Sequence, residues 1–466
     1  MPPTSPQFAA AHAILRKLKE EGHQAYLAGG CVRDLLLGRE LKDYDVATSA
    51  TPGIVLDLFP RTFAVGAHFG VVLVSAEYDG VSTLTEVATF RSDGAYSDGR
   101  RPDAVRYTTS AEEDIRRRDF TINGLLLDGL STQTNLRGLV LDYVGGLSDL
   151  DAGIVRAIGN PNLRFDEDRL RLLRAIRFSA RFQFAIDPVT QAAMRALAPR
   201  IESVSCERVR DELTRMLTEG RARLAFELLD ETGLLQHVLP EVSRLKGVAQ
   251  PPQFHPEGDV WIHTLLLLQQ LEPGCSKTLA WGALLHDIGK PATYQPPTGP
   301  NDRIRFNGHV EVGVRIAAGI CRRLRFSNDE TAQILALVEN HMRFADTSRM
   351  KPSTLKRFFR LNNFPEHLAL HKMDCQASSL DMRGNLDSYH FARERYEATP
   401  AAEVRPSPLL TGRDLIAVGY KPGSAFKAML HAVEEAQLEG AIQTTEEAMA
   451  LIEAQFPLPN EPQKHE

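Results

Sequence analysis

The sequence predicts an α+β multidomain chain, with a mixed sheet plus helices in the first third and all-α regions after it. Three observations predict this. A length of 466 residues corresponds to roughly three domains at about 150 residues each. Strand and helix patterns alternate through residues 1–150, and helical periodicity dominates from Asn160 onward. Hydrophobic residues make up 43%, charged residues 24% and aromatics 7%. That average composition excludes a collagen, a disulfide scaffold and a largely disordered chain.

Taken in order, Phe8–Glu21 has helical periodicity, and Gln24–Leu27 reads as a strand running into a Gly-Gly turn. Gly70–Ala76 and Ser82–Ala88 read as further strands. Asn160–Glu241 is helical, Val248–Pro256 is a Pro- and Gln-bearing linker, and a second helical block runs from Trp261 to Tyr396. Pro400–Pro408 is another linker, followed by a short helical tail to Phe456 and a disordered end over Pro457–Glu466. The expected domains are therefore 1–150, 151–247, 257–398 and 406–456. Apolar runs such as Thr264–Leu268 fall far short of the ~20 residues of a membrane span. Met1–Gln7 has neither a basic nor an apolar region, so no signal peptide is expected. Cys31, Cys206, Cys275, Cys321 and Cys375 are scattered and never form a CxxC pair; they read as reduced thiols of a cytoplasmic protein.

The formal charge of −6 argues against an all-over nucleic-acid coat. Its distribution is uneven. Residues 1–150 hold 15 Lys+Arg against 20 Asp+Glu, residues 151–225 hold 14 against 10, and the remainder 25 against 30. Every cation of the middle segment is Arg, which suits planar, bidentate contacts to phosphates and bases. By charge alone, helices with solvated faces would explain it first.

Residues 27–48 read LAGGCVRDLLLGRELKDYDVAT. A strand, Gly29-Gly30 and a helix carrying Arg33 make a phosphate cradle, because glycines let backbone N–H groups approach an anion. If Lys42–Val46 is extended, Asp43 and Asp45 point to the same face. Two adjacent carboxylates repel unless a cation sits between them, and Mg²⁺ is the oxygen-seeking ion that also bridges substrate phosphates. Alone, an Asp-x-Asp is more often a solvated edge; the turn just upstream changes that balance.

Four runs together carry a resemblance: Gly29–Thr48, Arg117-Arg118-Asp119-Phe120-Thr121-Ile122-Asn123, Asp142-x-x-Gly145-Gly146-x-x-Asp149-Leu150, and Glu167-Asp168-x-x-Arg171-Leu-Leu-Arg174-Ala-Ile-Arg177-Phe178. In this order they resemble the class II tRNA nucleotidyltransferase and bacterial poly(A) polymerase family. The resemblance implies a polymerase-β-like nucleotidyltransferase head, followed by helical neck, body and tail. It implies template-independent addition of CMP and AMP from CTP and ATP to the 3′ end of tRNA. Carried over by motif, Asp43 and Asp45 would hold Mg²⁺, and Gly30, Arg33 and Arg118 would contact the triphosphate.

If Glu167–Phe178 is one helix, Asp168, Arg171 and Arg174 recur every third residue and form a polar row. Asp168 can accept from an exocyclic amino group, which C and A possess and U lacks, while Arg171 donates to a ring nitrogen or carbonyl. A weak i,i+3 ion pair is the plain alternative. Arg174 and Arg177 would orient that pair or touch phosphate. Glu86–Val105 resembles the family's flexible loop, which CC-only enzymes lack. Gly124 departs from the family, which often has Ala there; Gly slightly weakens a helix.

A second constellation lies downstream. Trp281–Lys290 contains His286-Asp287, with His263 before it and His309, His341 and Asp374 after it. A lone buried His is usually a core residue, but a vicinal His-Asp within an apolar helix leaves a costly carboxylate unless it is paired. Imidazole and carboxylate together suit a water-activating divalent metal. His263, His286, Asp287 and Asp374 are similar to the pattern of HD-family phosphohydrolases, with His309 and His341 available for a second metal. HD domains in bacterial relatives imply phosphatase or 2′,3′-cyclic phosphodiesterase activity. In the tail, Gly419-Tyr420-Lys421-Pro422-Gly423 resembles the tRNA-binding turn of longer family members, and a plain helical hairpin explains it equally. The expected function is CCA addition. A poly(A) polymerase or A-only enzyme is the nearest rival, and an HD phosphohydrolase with an RNA-binding head is the rival from another class.

Overall fold

Ser5 opens the first helix, Pro6–Glu20: its side chain accepts from the Phe8 N–H, and Pro6 occupies the first turn, where no donor is lost. The structure is a computed structural model that describes residues 5–41, 43–64, 70–78, 80–93, 105–131, 135–253, 255–299, 302–378 and 385–458. The helix buries Ala10, Ala11, Ile14, Leu15 and Leu18 against one face of a mixed sheet. Nine strands follow among the described residues of this region: β1 Ala25–Ala28, β2 Val46–Thr48, β3 Thr62–Phe63, β4 Val71–Tyr78, β5 Val81–Thr89, β6 Arg91–Asp93, β7 Val105–Tyr107, β8 Leu125–Leu127 and β9 Val140–Asp142. Seven form one sheet in the order β3-β4-β5-β2-β1-β8-β9, and β6 pairs with β7 alone. β2 and β5 are parallel, with Val46 beside Val87; the other pairs of the sheet are antiparallel. Along β5, Thr83, Thr85, Val87 and Thr89 are buried and the residues between them are more exposed. That alternation covers one face of the sheet and leaves the other as the wall of a cleft.

The helical continuation differs from expectation at one point. Glu167–Phe178 is not one helix: Pro161–Glu167 ends, Asp168 is extended (φ −141°, ψ 104°), and a new helix runs over Arg171–Phe182. The Asp168 carboxylate accepts from the Leu170 N–H at 3.1 Å, a local bond that competes with helix continuation. Leu170, Leu173 and Ile176 are buried as an apolar stripe, and the second helix packs on Cys206–Thr218 and Ala222–Glu231.

The chain forms two compact units, Met1–Ser243 with Leu271–Gly274, and Arg244–Gln270 with Cys275–Glu466. The second unit is helical. The stretch expected as a linker at Val248–Pro256 is anchored at its start: Gln250 is 3% exposed, and Ala249 pairs with Asp259 as an antiparallel bridge. Pro400–Pro408 likewise contains a turn of helix, Ala401–Val404, whose Val404 carbonyl accepts from Arg360 Nε at 2.6 Å. The tail folds as Gly412–Ala417, Ala425–Glu439 and Thr445–Gln455 around Leu415, Tyr420, Met429, Val433 and Ile452. The expected disordered end lies, from residue 459, outside the described residues. No helix among the described residues is long and apolar enough to cross a membrane. None of the five cysteines is in a disulfide.

Candidate functional sites

The first site begins at the end of β1. Gly29 has φ +70°, and a Cβ there would lie 2.8 Å from Arg118 Nη1, so only glycine fits both the turn and the arginine. Gly30 starts the short helix Gly30–Leu36. Arg33, on that helix, is 3% exposed. Its guanidinium donates to Asp34 at 2.7 Å and to the Asn123 side-chain oxygen, and it lies 4.5 Å from the centre of the Phe182 ring. It braces the cleft while its Nη2 stands over Gly30.

Asp43 is exposed, Tyr44 is buried and Asp45 is half-buried. The alternation expected of an extended segment is present, although strand pairing starts only at Val46. Neither carboxylate makes an ion pair with a described residue. Burial, the neighbouring Glu86 and Asp43 together push Asp45 up to about 6, against the pull of Arg118. A hard oxygen donor set with unrelieved repulsion fits a bound Mg²⁺. Glu86 was not singled out from the sequence. It reaches the site because the parallel β2–β5 register sets it beside Asp45; its outward phase in an alternating strand was the available signal.

Asp43, Asp45, Gly30, Arg33, Arg118, Asp168, Arg171, Arg174 and Arg177 all line one cleft of about 1070 Å³, together with Glu86, Asp119, Asn123, Arg181 and Arg208. Asp119 holds Arg174 through two bonds of 2.8 and 2.6 Å and takes 3.0 Å from Asn123. Burial of Asp119 works against its charge, but Arg174, Asn123 and Arg171 hold it well below the usual carboxylate range. Arg118 bonds Asp114 at 3.1 Å, while its buried Nε has no partner. The side chains of Asp168 and Arg171 are not paired with each other. Arg208 donates to both Asp168 oxygens at 3.1 and 2.8 Å, and Arg171 donates to Glu167 at 2.6 Å. Arg177 is tied to Glu212 at 2.7 Å. The remaining motif residues build the frame. Asp142 accepts from the N–H groups of Val144, Gly146 and Leu147, and Asp149 accepts from Thr121 at 2.7 Å. Residues 94–104 of the expected flexible loop lie outside the described residues.

In the second unit, four histidines converge on Asp287, which is 3% exposed. Its Oδ2 lies 3.2 Å from His286 Nε2 and 3.8 Å from His263 Nε2. Its Oδ1 lies 3.8 Å from His309 Nε2 and 3.7 Å from His341 Nε2. Asp374 approaches His263 Nε2 at 3.0 Å. The other ring nitrogens of His286, His309 and His341 sit 2.9, 2.9 and 2.7 Å from the backbone carbonyls of Ala283, Phe306 and Val338. That anchoring directs each Nε2 inward. His309 Nε2 and His341 Nε2 are buried without a partner, and burial holds His341 down to about 4, a neutral imidazole with a free lone pair. These orphaned donors around one carboxylate fit divalent metal. Lys290 Nζ contacts Asp287 at 2.6 Å. Burial opposes the charge of Asp287, but Lys290 and His286 hold that carboxyl well below its ordinary range.

A mixed sheet carrying paired carboxylates beside a Gly-Gly turn, facing an arginine-rich cleft, defines a nucleotidyltransferase head. Comparison narrows the class. Residues 25–156 match the family described as the poly A polymerase head domain, residues 183–245 the probable RNA and SrmB-binding site of polymerase A, and residues 260–375 the HD domain. The chain is 38% identical over 266 residues to a CCA-adding enzyme of Lactobacillus johnsonii, covering 56% of this chain and 64% of that one. It is 42% identical over 229 residues to a CCA-adding enzyme of Geobacillus thermodenitrificans, covering 49% and 54%. The chain thus spans somewhat over half the length of the curated relatives it matches. A crystal structure of the Bacillus stearothermophilus CCA-adding enzyme in complex with CTP superposes with a TM-score of 0.69 at 28% identity, covering 97% of this chain and 98% of that one. The chain thus carries a poly A polymerase head domain, a segment like the RNA-binding region of polymerase A, and an HD domain, in that order.

Proposed function

We propose that this protein adds CMP and AMP to the 3′ end of tRNA without a template, completing CCA. The observation that carries the reading is the single cleft gathering Asp43, Asp45 and Glu86 with Arg118, Asp168 and Arg171. Asp43 and Asp45 would hold Mg²⁺, which when bound activates the acceptor hydroxyl and neutralises the leaving pyrophosphate. The chain's own groups do the rest. Gly30 and the unpartnered Nε of Arg118 receive phosphate oxygens, with Arg33 bracing that wall. Asp168 accepts from the exocyclic amino group of C or A, and Arg171 donates to the ring edge. Arg174, locked on Asp119, and Arg177, locked on Glu212, hold the reading helix in place. The tail's Lys421 is exposed beside the turn that precedes Ala425, open to an RNA phosphate. Five cysteines outside any disulfide accord with a cytoplasmic setting.

The test is incorporation with Mg²⁺ on tRNA transcripts ending before CCA, after C and after CC, with CTP, ATP or both. Growth to CCA and no further supports the reading. A single A added only to the CC end makes the protein an A-adding enzyme, and long A tracts make it a poly(A) polymerase. No incorporation leaves the HD hydrolase as the function.

A second activity is favoured by the convergence of four histidine Nε2 atoms on Asp287: metal-dependent hydrolysis of a 2′,3′-cyclic or terminal phosphate, which would free a blocked RNA end. Opening of a 2′,3′-cyclic phosphate to the monoester, or release of a terminal phosphate, by the parent but not by His286→Ala supports it; equal conversion by both removes it.

A further inference from the structure

The loop that precedes the matched HD region closes on itself. Val260 N–H donates to the Val248 carbonyl at 3.0 Å, Ala249 bridges Asp259, and Gly247 N–H donates to the Asp259 carboxylate at 2.6 Å. Within it, the Glu257 side chain is only 2% exposed. A loop glutamate belongs in water, and burying a carboxylate is costly unless hydrogen bonds compensate. Here two imidazoles supply them to one oxygen, while Oε2 is buried without a partner. Glu257 Oε1 lies 2.8 Å from His263 Nδ1 and 2.9 Å from His255 Nδ1, and the His255 ring stands edge-on to His263 at 5.0 Å.

We propose that Glu257 is the positioning residue of His263, and that its carboxylate, from just before the segment that matches the HD domain, sets the metal affinity of the centre. The inference rests on the metal-centre reading. A proton held on His263 Nδ1 by Glu257 leaves Nε2 as the ligand atom, and Nε2 is the nitrogen that faces Asp374 and His286. His286, His309 and His341 lean on neutral backbone carbonyls, whereas His263 leans on a carboxylate. A charged acceptor strengthens the hydrogen bond and makes the imidazole a better donor to a metal. The same loop reaches the other end of the centre. Gln250 accepts from Lys290 Nζ at 2.7 Å, and Lys290 bonds Asp287.

The experiment uses the full chain carrying Asp43→Asn and Asp45→Asn, so that the head carboxylates do not take up the probe. Mn²⁺ is titrated calorimetrically, and melting temperatures are measured with chelator and with Mn²⁺. Glu257→Ala should weaken Mn²⁺ binding by about 10- to 100-fold with a near-parental metal-free melting temperature, and Glu257→Gln should fall between. Parental affinity in Glu257→Ala overturns the proposal. If the alanine variant also melts early without metal, Glu257→Gln decides. A restored melting temperature with reduced affinity supports the carboxylate's role. Parental affinity there overturns it, because an uncharged acceptor would serve as well. Equal Mn²⁺ binding by the parent and His286→Ala overturns the metal-centre reading, and the inference with it.

Discussion

The two polar centres treat their carboxylates in opposite ways. In the head, Asp43, Asp45 and Glu86 share one cleft with no ion pair to any described residue, and their mutual repulsion helps to push Asp45 up to about 6. In the helical unit, Asp287 is more deeply buried, yet Lys290 at 2.6 Å and the ring of histidines keep it ionised. The first arrangement leaves its charge for whatever enters the cleft, metal and nucleotide together. The second balances its charge internally and leaves imidazole lone pairs free instead. A centre that exchanges substrate-borne metal at every turnover is served by the first, and a resident metal by the second.

The sharpest way to break that comparison is to remove the uncompensated charge. Asp45→Asn should lower nucleotide addition at least ~10³-fold, a loss of about 4 kcal/mol of transition-state stabilisation. His286→Ala should leave addition at the parental rate. Single-turnover incorporation of CMP checks both. Comparable loss from both substitutions would show that the two centres do not work independently.

Removing the internal cation tests the other side. Lys290→Met leaves Asp287 buried without its closest partner, which should cost about 3 kcal/mol of stability in metal-free protein. Because Mn²⁺ would then supply the missing positive charge, saturating metal should recover part of that loss. Urea unfolding with chelator and with Mn²⁺ measures it. A loss unchanged by metal would mean that Asp287 does not face the ion.

Much of both centres was legible in the sequence because their residues are consecutive or periodic. Asp43 and Asp45 follow the extended two-residue period, and His286-Asp287 are neighbours in an apolar run. What was not legible depends on distant pairing. Glu86 comes beside Asp45 only through the parallel register of β2 with β5, and Arg208 reaches Asp168 from a helix 40 residues away. Glu257 directly follows the Pro-bearing stretch Val248–Pro256, whose composition signals a linker, and its burial is decided by His255 and His263. The helix break at Asp168 was hidden for another reason: the i,i+3 pattern runs straight through it, while the side chain's bond to Leu170 N–H is a local competitor that periodicity does not register.

That break makes the base-reading proposal testable at finer grain. Asp168 stands outside the helix and is held by Arg208, so its carboxylate is aimed by a partner and not by helical phase. Asp168→Asn turns half of the acceptor into a donor and should lower the preference for CTP and ATP over UTP by about 10- to 100-fold. Ratios of kcat/KM for the three nucleotides on a tRNA ending before CCA check it. An unchanged ratio would sever the link between Asp168 and the base.

The smallest effect concerns Gly124, where local propensity and packing disagree in sign. Ala exceeds Gly in a helix by up to ~1 kcal/mol, so propensity predicts that Gly124→Ala stabilises. In the structure Gly124 closes the short turn Thr121–Asn123 instead of lying inside a helix. A Cβ there would stand 2.8 Å from Val144 Cγ2 and 3.2 Å from both Ile115 Cγ2 and Ile158 Cδ1. Three apolar side chains must move at once, and overpacking of this kind costs about 1 kcal/mol or more. The turn's φ of −93° gives glycine no conformational advantage, so the outcome isolates packing. A melting temperature lowered by a few degrees, with CTP incorporation unchanged, is the expected result. A raised melting temperature would mean that Ile115, Val144 and Ile158 yield to the added methyl, and that the head's core is looser around this motif than its distances imply.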